Sequence, residues 1–130
     1  MYHIRNIIRN IKETYRLNTK GYTNYDVYEL HHSHSHRMIK LLTELKDSHV
    51  GCPSDLFDNT IEDGNCHRWE AILQQMIDGF QAAIDIDDID MDVDYYKKHG
   101  EWDYTEYNKL DKKFKKGMKL FTEYYRNLWD

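Results

Sequence analysis

Apolar residues recur at steps of three and four along most of this chain, the pattern of amphipathic helices. Ile4, Ile7, Ile8, Ile11 and Tyr15 share one face of a segment from about residue 2 to residue 17. Arg5, Arg9, Lys12 and Arg16 fall away from that face. Gly21 breaks the pattern, and a second helix is predicted from near Thr23, where Asp26 completes a capping-box spacing. It runs to about Ser48, with Val27, Leu30, Met38, Leu41, Leu42 and Leu45 as its buried stripe. Residues 49–64 read as a loop that Leu56, Phe57 and Ile61 could pin to the core. A third helix follows an Asn65 N-cap and carries Trp69, Ile72, Leu73, Met76, Ile77, Phe80 and Ala83. From Ile84 to Asp94 the chain alternates apolar and acidic residues, a strand-like period of two, but Asp is a poor strand residue. This stretch is read as a frayed helix end and an acidic connector reaching about Asp103, with a turn at Gly100. A last helix is predicted from about Thr105 to Leu128, with Leu110, Phe114, Met118, Phe121, Tyr125 and Leu128 on its apolar stripe.

These elements predict an all-α fold: a single-domain antiparallel bundle of about four helices over residues 1–130, with an acidic connector before the last. Each helix alone would expose its stripe, so the helices must pack together or dimerise.

Composition refines this picture in three places. The apolar fraction is 40% and the charged fraction 32%, yet eleven Tyr, four Phe and three Trp supply enough surface to bury for folding. The net charge of -5 is unevenly placed: +3 over residues 1–50 (8 basic, 5 acidic), -9 over 51–100 (3 basic, 12 acidic) and +1 over 101–130 (7 basic, 6 acidic). The acidic middle disfavours phosphate-backbone binding there and suits a basic partner. No membrane span or signal peptide is predicted, so the expected location is the cytoplasm. There, Cys52 and Cys66 are expected to be free thiols, a disulfide across the thirteen intervening residues being the alternative.

Four groups of residues could carry chemistry. His31, His32, His34 and His36 cluster in the second helix. Glu29, His32 and His36 stand one turn apart there and could chelate a divalent metal, with His67 and Glu70 as further ligands. Solvated or core-edge histidines are the competing reading. Asp90, Asp92, Asp94 and Glu101 match part of a calcium loop, but Tyr95 stands where Gly is needed for the turn. Asp85, Asp87, Asp88, Asp90, Asp92 and Asp94 form an acidic run that could bind a basic surface or mimic nucleic-acid phosphates. The lysines and interleaved tyrosines of the last helix could meet nucleic acid, which the net charge opposes. Neither cysteine has a triad-like setting in sequence, and no phosphate-binding glycine loop is present.

Three stretches bear a resemblance. Residues 21–30 (GYTNYDVYEL), the helix WEAILQQMIDGF at 69–80 and the closing GMKLFTEYYRNLWD at 117–130 resemble a family of small tailed-bacteriophage proteins of unassigned function. That family shows a Trp-x-x-Ile-Leu-x-x-Met-Ile-x-x-Phe helix and a Leu-Phe-x-x-Tyr-Phe-x-x-Leu-Trp terminus. The resemblance covers about two thirds of the chain, from about residue 20 on. The family's usual Trp-x-Leu-Asp is replaced here by Tyr28-Glu29-Leu30-His31, so the histidines are a departure from it. Trp69, Met76, Phe80, Phe121, Leu128 and Trp129 are expected to be core packing, and no activity is carried over.

The expectation is a small phage-encoded, non-catalytic protein that binds a host protein through the acidic 85–94 segment, without direct nucleic-acid contact. The alternatives are a metal-binding, possibly enzymatic bundle on the Glu29–His32–His36 face and a protein sequestering a small nucleotide between helices.

Overall fold

A computed structural model describes residues 1–56 and 66–129. Phe57, Ile61 and Asn65, expected to pin the loop and cap the third helix, lie outside the described residues. The fold is all-α, with no strand among the described residues. Six helices are described: α1 (Tyr2–Lys20), α2 (Asn24–Tyr28), α3 (Leu30–Ser48), α4 (His67–Asp87), α5 (Val93–His99) and α6 (Thr105–Glu123). The chain forms two compact units, Met1–His34 and Ser35–Asp130.

The first unit contains α1, α2 and the start of α3. Gly21 ends α1 in the left-handed region (φ 81°), donating its N–H to the Leu17 carbonyl at 2.9 Å. Thr23 caps α2 in a full capping box with Asp26. Contrary to the continuous helix expected from Thr23 to Ser48, the backbone leaves helical geometry at Glu29 (φ -113°, ψ 52°). The Glu29 carbonyl then accepts the Ser33 N–H at 2.9 Å and starts α3. Asp26 braces this break: Oδ2 accepts the Thr23 N–H at 2.8 Å, and Oδ1 accepts the Ser33 hydroxyl. Side-chain bonding that competes with the helix ladder therefore sets the boundary.

The second unit is built on α4 and α6. Trp69, Leu73, Met76, Ile77 and Phe80 of α4 are buried with Leu42 of α3 and Leu56 of the 3-10 turn Ser54–Leu56. Met38, Ile39 and Leu45 of α3 and Met118, Leu120 and Phe121 of α6 close over them. Edge-to-face ring pairs join α4 to the α6 end of the chain: Phe80 to Phe121 at 5.2 Å, and Trp69 to Tyr124 at 5.6 Å. The two helices cross at glycine. A Cβ added to Gly79 would sit 2.8 Å from the Gly117 Cα. One added to Gly117 would sit 2.7 Å from the Gly79 Cα and 2.8 Å from the Gln75 carbonyl.

Several expectations are corrected. Val27, Leu30 and Leu41 are exposed, because the break at Glu29 interrupts the stripe and α3 presents Met38, Ile39, Leu42 and Leu45 to the core instead. Ala82 and Ile84, not Ala83, are buried at the end of α4. The acidic stretch stays helical to Asp87 and then includes α5, capped by Asp92. α6 ends at Glu123, and a 3-10 turn over Tyr125–Asn127 changes the helical phase, leaving Tyr125 and Trp129 exposed. Cys52 and Cys66 are joined as a disulfide with a Cα–Cα separation of 5.6 Å. The reason is tertiary: Pro53 and Leu56 are buried, and this holds Cys52 beside the N-terminus of α4.

Two stability measurements check this packing. Gly79→Ala and Gly117→Ala each gain about 1 kcal/mol of helix propensity. The new methyl meets backbone that cannot swing aside, so a net loss of about 1–3 kcal/mol is expected in urea denaturation. Cys52→Ala with Cys66→Ala is expected to cost about 3 kcal/mol, the loop-closure value for a link of this length.

Candidate functional site

α1 presents the largest anomaly in the molecule. Its stripe is not buried: Ile4 is 62% exposed, Ile7 57%, Ile8 47%, Ile11 63% and Tyr15 70%. Scattered exposed apolar residues are normal, but these five large ones stand in register on one helix face as a contiguous apolar stripe. Ile7, Asn10, Ile11, Thr14, Tyr15 and Asn18 line an open surface depression along it. The same helix carries Arg5, Arg9, Lys12, Arg16 and Lys20 against a single acid, Glu13. That carboxylate is engaged, accepting the backbone N–H and the side-chain amide of Asn24, both at 2.8 Å. Arg16 lies over the Tyr22 ring, 5.3 Å from its centroid, and its buried Nε has no hydrogen-bond partner among the described residues.

The acidic segment is split between three settings. Asp85 accepts from the Gln81 amide at 2.9 Å, and Asp87 and Asp88 stand exposed where α4 ends. A helix C-terminus favours cations, and the last turn of α4 has none. Asp90 and Asp94 are exposed, and Asp92 caps α5 by accepting the Tyr95 N–H at 3.0 Å. The calcium-loop pattern is not realised, because Val93–His99 is helical where that loop must wrap an ion.

Glu29 sits at the break between α2 and α3, off the regular helix that would align it with His32. His32 Nδ1 lies 3.3 Å from the Tyr25 hydroxyl, and His36 is exposed one turn further along α3. Among the described residues, no three His, Cys, Asp or Glu side chains are placed to hold a metal ion.

The tertiary fold assembles a different polar cluster. His49, 8% exposed at its side chain, places Nδ1 3.0 Å from the Gly51 carbonyl and Nε2 3.1 Å from Glu70 Oε1. Both facing atoms are acceptors, so both bonds form together in the doubly protonated ring. His67 Nδ1 approaches Glu70 Oε2 at 3.7 Å. The hydrogen bond from His49 holds the Glu70 carboxyl below its ordinary range, against the opposing effect of burial and with further lowering from the charges of His49 and His67. Beside it, Lys46 donates to Gln74 at 2.7 Å, and Lys46, Asp47, His67, Glu70 and Gln74 line an open cleft. Sequence reading placed His49 in a loop and gave it no role. The signal existed only as His49, His67 and Glu70 flanking the two cysteines. Elsewhere, Tyr124 reaches Asp55 at 3.4 Å, and its hydroxyl is pushed up, chiefly by burial. Beside Trp69, a cavity of about 270 Å³ opens between Val50–Pro53 and Trp129.

The Glu70 contact has a pH signature. Its folded-state pKa is lowered, so its stabilisation is present above the ordinary value of 4.5 and is lost as pH falls through the depressed one. Urea midpoints measured from neutral to acid pH are expected to fall less steeply below that value in Glu70→Gln than in the parent. An unchanged slope would assign the acid sensitivity elsewhere.

No family model, curated protein or solved structure matches the chain, so its functional reading rests on its own geometry.

Proposed function

We propose that this is a non-catalytic binding protein that docks another protein on the apolar face of α1. One observation carries the reading: five large apolar side chains, from Ile4 to Tyr15, stand in register and about half or more exposed. At about 25 cal/mol per Å² of apolar surface, covering them supplies several kcal/mol toward association. The helix-in-groove mode uses this spacing of anchors, at i, i+3, i+4 and i+7. The acidic segment adds a second charged surface. Asp88, the C-cap of α4, and the exposed Asp87 before it place negative charge at the negative end of the helix dipole. No helix among the described residues is long and apolar enough to cross a membrane. The resemblance to tailed-phage proteins makes a host protein the proposed target, held as an inhibitor of defence or a modifier of host machinery.

The test is capture from host lysate by the tagged chain. Ile7→Asp with Ile11→Asp is expected to abolish recovery of the bound protein while helix content and thermal midpoint stay unchanged. Undiminished recovery would show that this face is not the docking surface. Asp88→Lys with Asp90→Lys, read in the same assay, reports whether the acidic segment contributes.

A further inference from the structure

The cations of α1 are not spread around its apolar stripe. At about 100° per residue, Ile4, Ile7, Ile8, Ile11 and Tyr15 occupy an arc of roughly 100°. Lys12, Arg5 and Arg16 follow one edge of that arc, and Arg9 and Lys20 lie behind them on the far face of the helix. The other border carries His3, Asn10 and Thr14, with no Lys or Arg among them, and Asn18 falls within the arc itself. Arg5, Arg9, Lys12 and Lys20 are exposed, and no ion pair among the described residues engages any of them. Glu13, the one acid of the helix, is turned to Asn24. The result is a ridge of isoleucines with an unneutralised cationic edge on one side and an edge without Lys or Arg on the other.

We propose that the occupant of this face is an acidic protein helix, whose own apolar ridge meets the isoleucines while carboxylates along one border meet Arg5 and Lys12. This rests on the reading of α1 as a protein-docking face and adds the chemistry of what docks. Arginine favours such a partner, because its planar fork binds carboxylates bidentately. A lipid surface is a poorer match. A bilayer plane touches both borders of an interfacial helix alike, and here one border carries no Lys or Arg. A second α1 is also a poorer match, because it brings no carboxylate along its own stripe. The paired charges set orientation and register, and the isoleucines supply the apolar contact.

The experiment uses the full chain and two labelled synthetic helical peptides with the same leucine ridge. One has a border of Glu and the other a border of Lys. Binding is read by fluorescence anisotropy at low and high salt. The Glu peptide is expected to bind at least about tenfold tighter than the Lys peptide, with the advantage shrinking at high salt. Arg5→Glu with Lys12→Glu is expected to reverse the preference, and Ile7→Asp with Ile11→Asp to remove binding of both peptides. Equal binding of the two peptides, or binding of neither, overturns the proposal. So does flotation with phosphatidylcholine–phosphatidylglycerol vesicles by a chain that ignores the Glu peptide, and so does a dimer in sedimentation that the charge reversal dissociates. If the aspartates abolish binding and the charge reversal leaves it intact, apolar docking stands and the acidic partner is rejected. If neither set of substitutions changes binding, both are rejected.

Discussion

The closest constraint in the second unit is the backbone approach of α4 to α6 at Gly79 and Gly117. Neither position has room for a methyl group, since the added carbon would lie within 3 Å of the facing backbone. Glycine inside a helix costs about 1 kcal/mol relative to alanine, so two of them at a crossing reflect a packing need rather than helix propensity. The approach has consequences along the length of both helices. It brings Phe80 onto Phe121 and Trp69 onto Tyr124, and it seats Leu73 and Met76 without residual exposure. Leu42 and Leu56 fill the same cluster from α3 and the turn after it.

That cluster also organises the polar chemistry. Pro53 and Leu56 are buried, which fixes the loop before the Cys52–Cys66 disulfide and sets His49 against Glu70. A largely buried imidazole set between two acceptors is a constrained arrangement. The disulfide and the ion pair therefore both brace the junction between the loop and the start of α4. Nothing in this arrangement requires catalysis, since the histidine is committed on both nitrogens.

α1 follows a different rule. Its C-terminus is capped by Gly21 and its helix runs unbroken, yet its apolar face is open while the core-facing side of α4 is buried. Within one chain, the second unit has a fully buried core and the first a ridge of exposed isoleucines, the contrast on which the proposal of a binding role rests. Net charge alone misleads here. The chain is acidic overall, but the face that lacks a cover is bordered by cations, so local charge rather than the total decides which partner fits.

Periodicity made α1, α4, α6 and most of α3 legible, while the break at Glu29 and the short helix α5 were not. The steps of three and four in α1, α4 and α6, the capping box at Thr23 and the turns at Gly21 and Gly100 are local, and they held because backbone hydrogen bonding and side-chain spacing act within a few residues. Burial of Trp69, Leu73, Met76 and Phe80 was legible for the same reason. What only the tertiary structure decided is which stripes find a partner. Val27 and Leu30 lost theirs at the Glu29 break, α1 keeps its stripe open, and Trp129 is exposed past the 3-10 turn despite its place in a recognisable motif. The cysteine pairing and the His49–Glu70 contact were likewise hidden, because each joins groups fourteen or more residues apart through a loop whose path no periodicity encodes. A stripe states that a face is apolar; whether that face is covered depends on backbone breaks and helix crossings, and these are set by contacts distant in sequence.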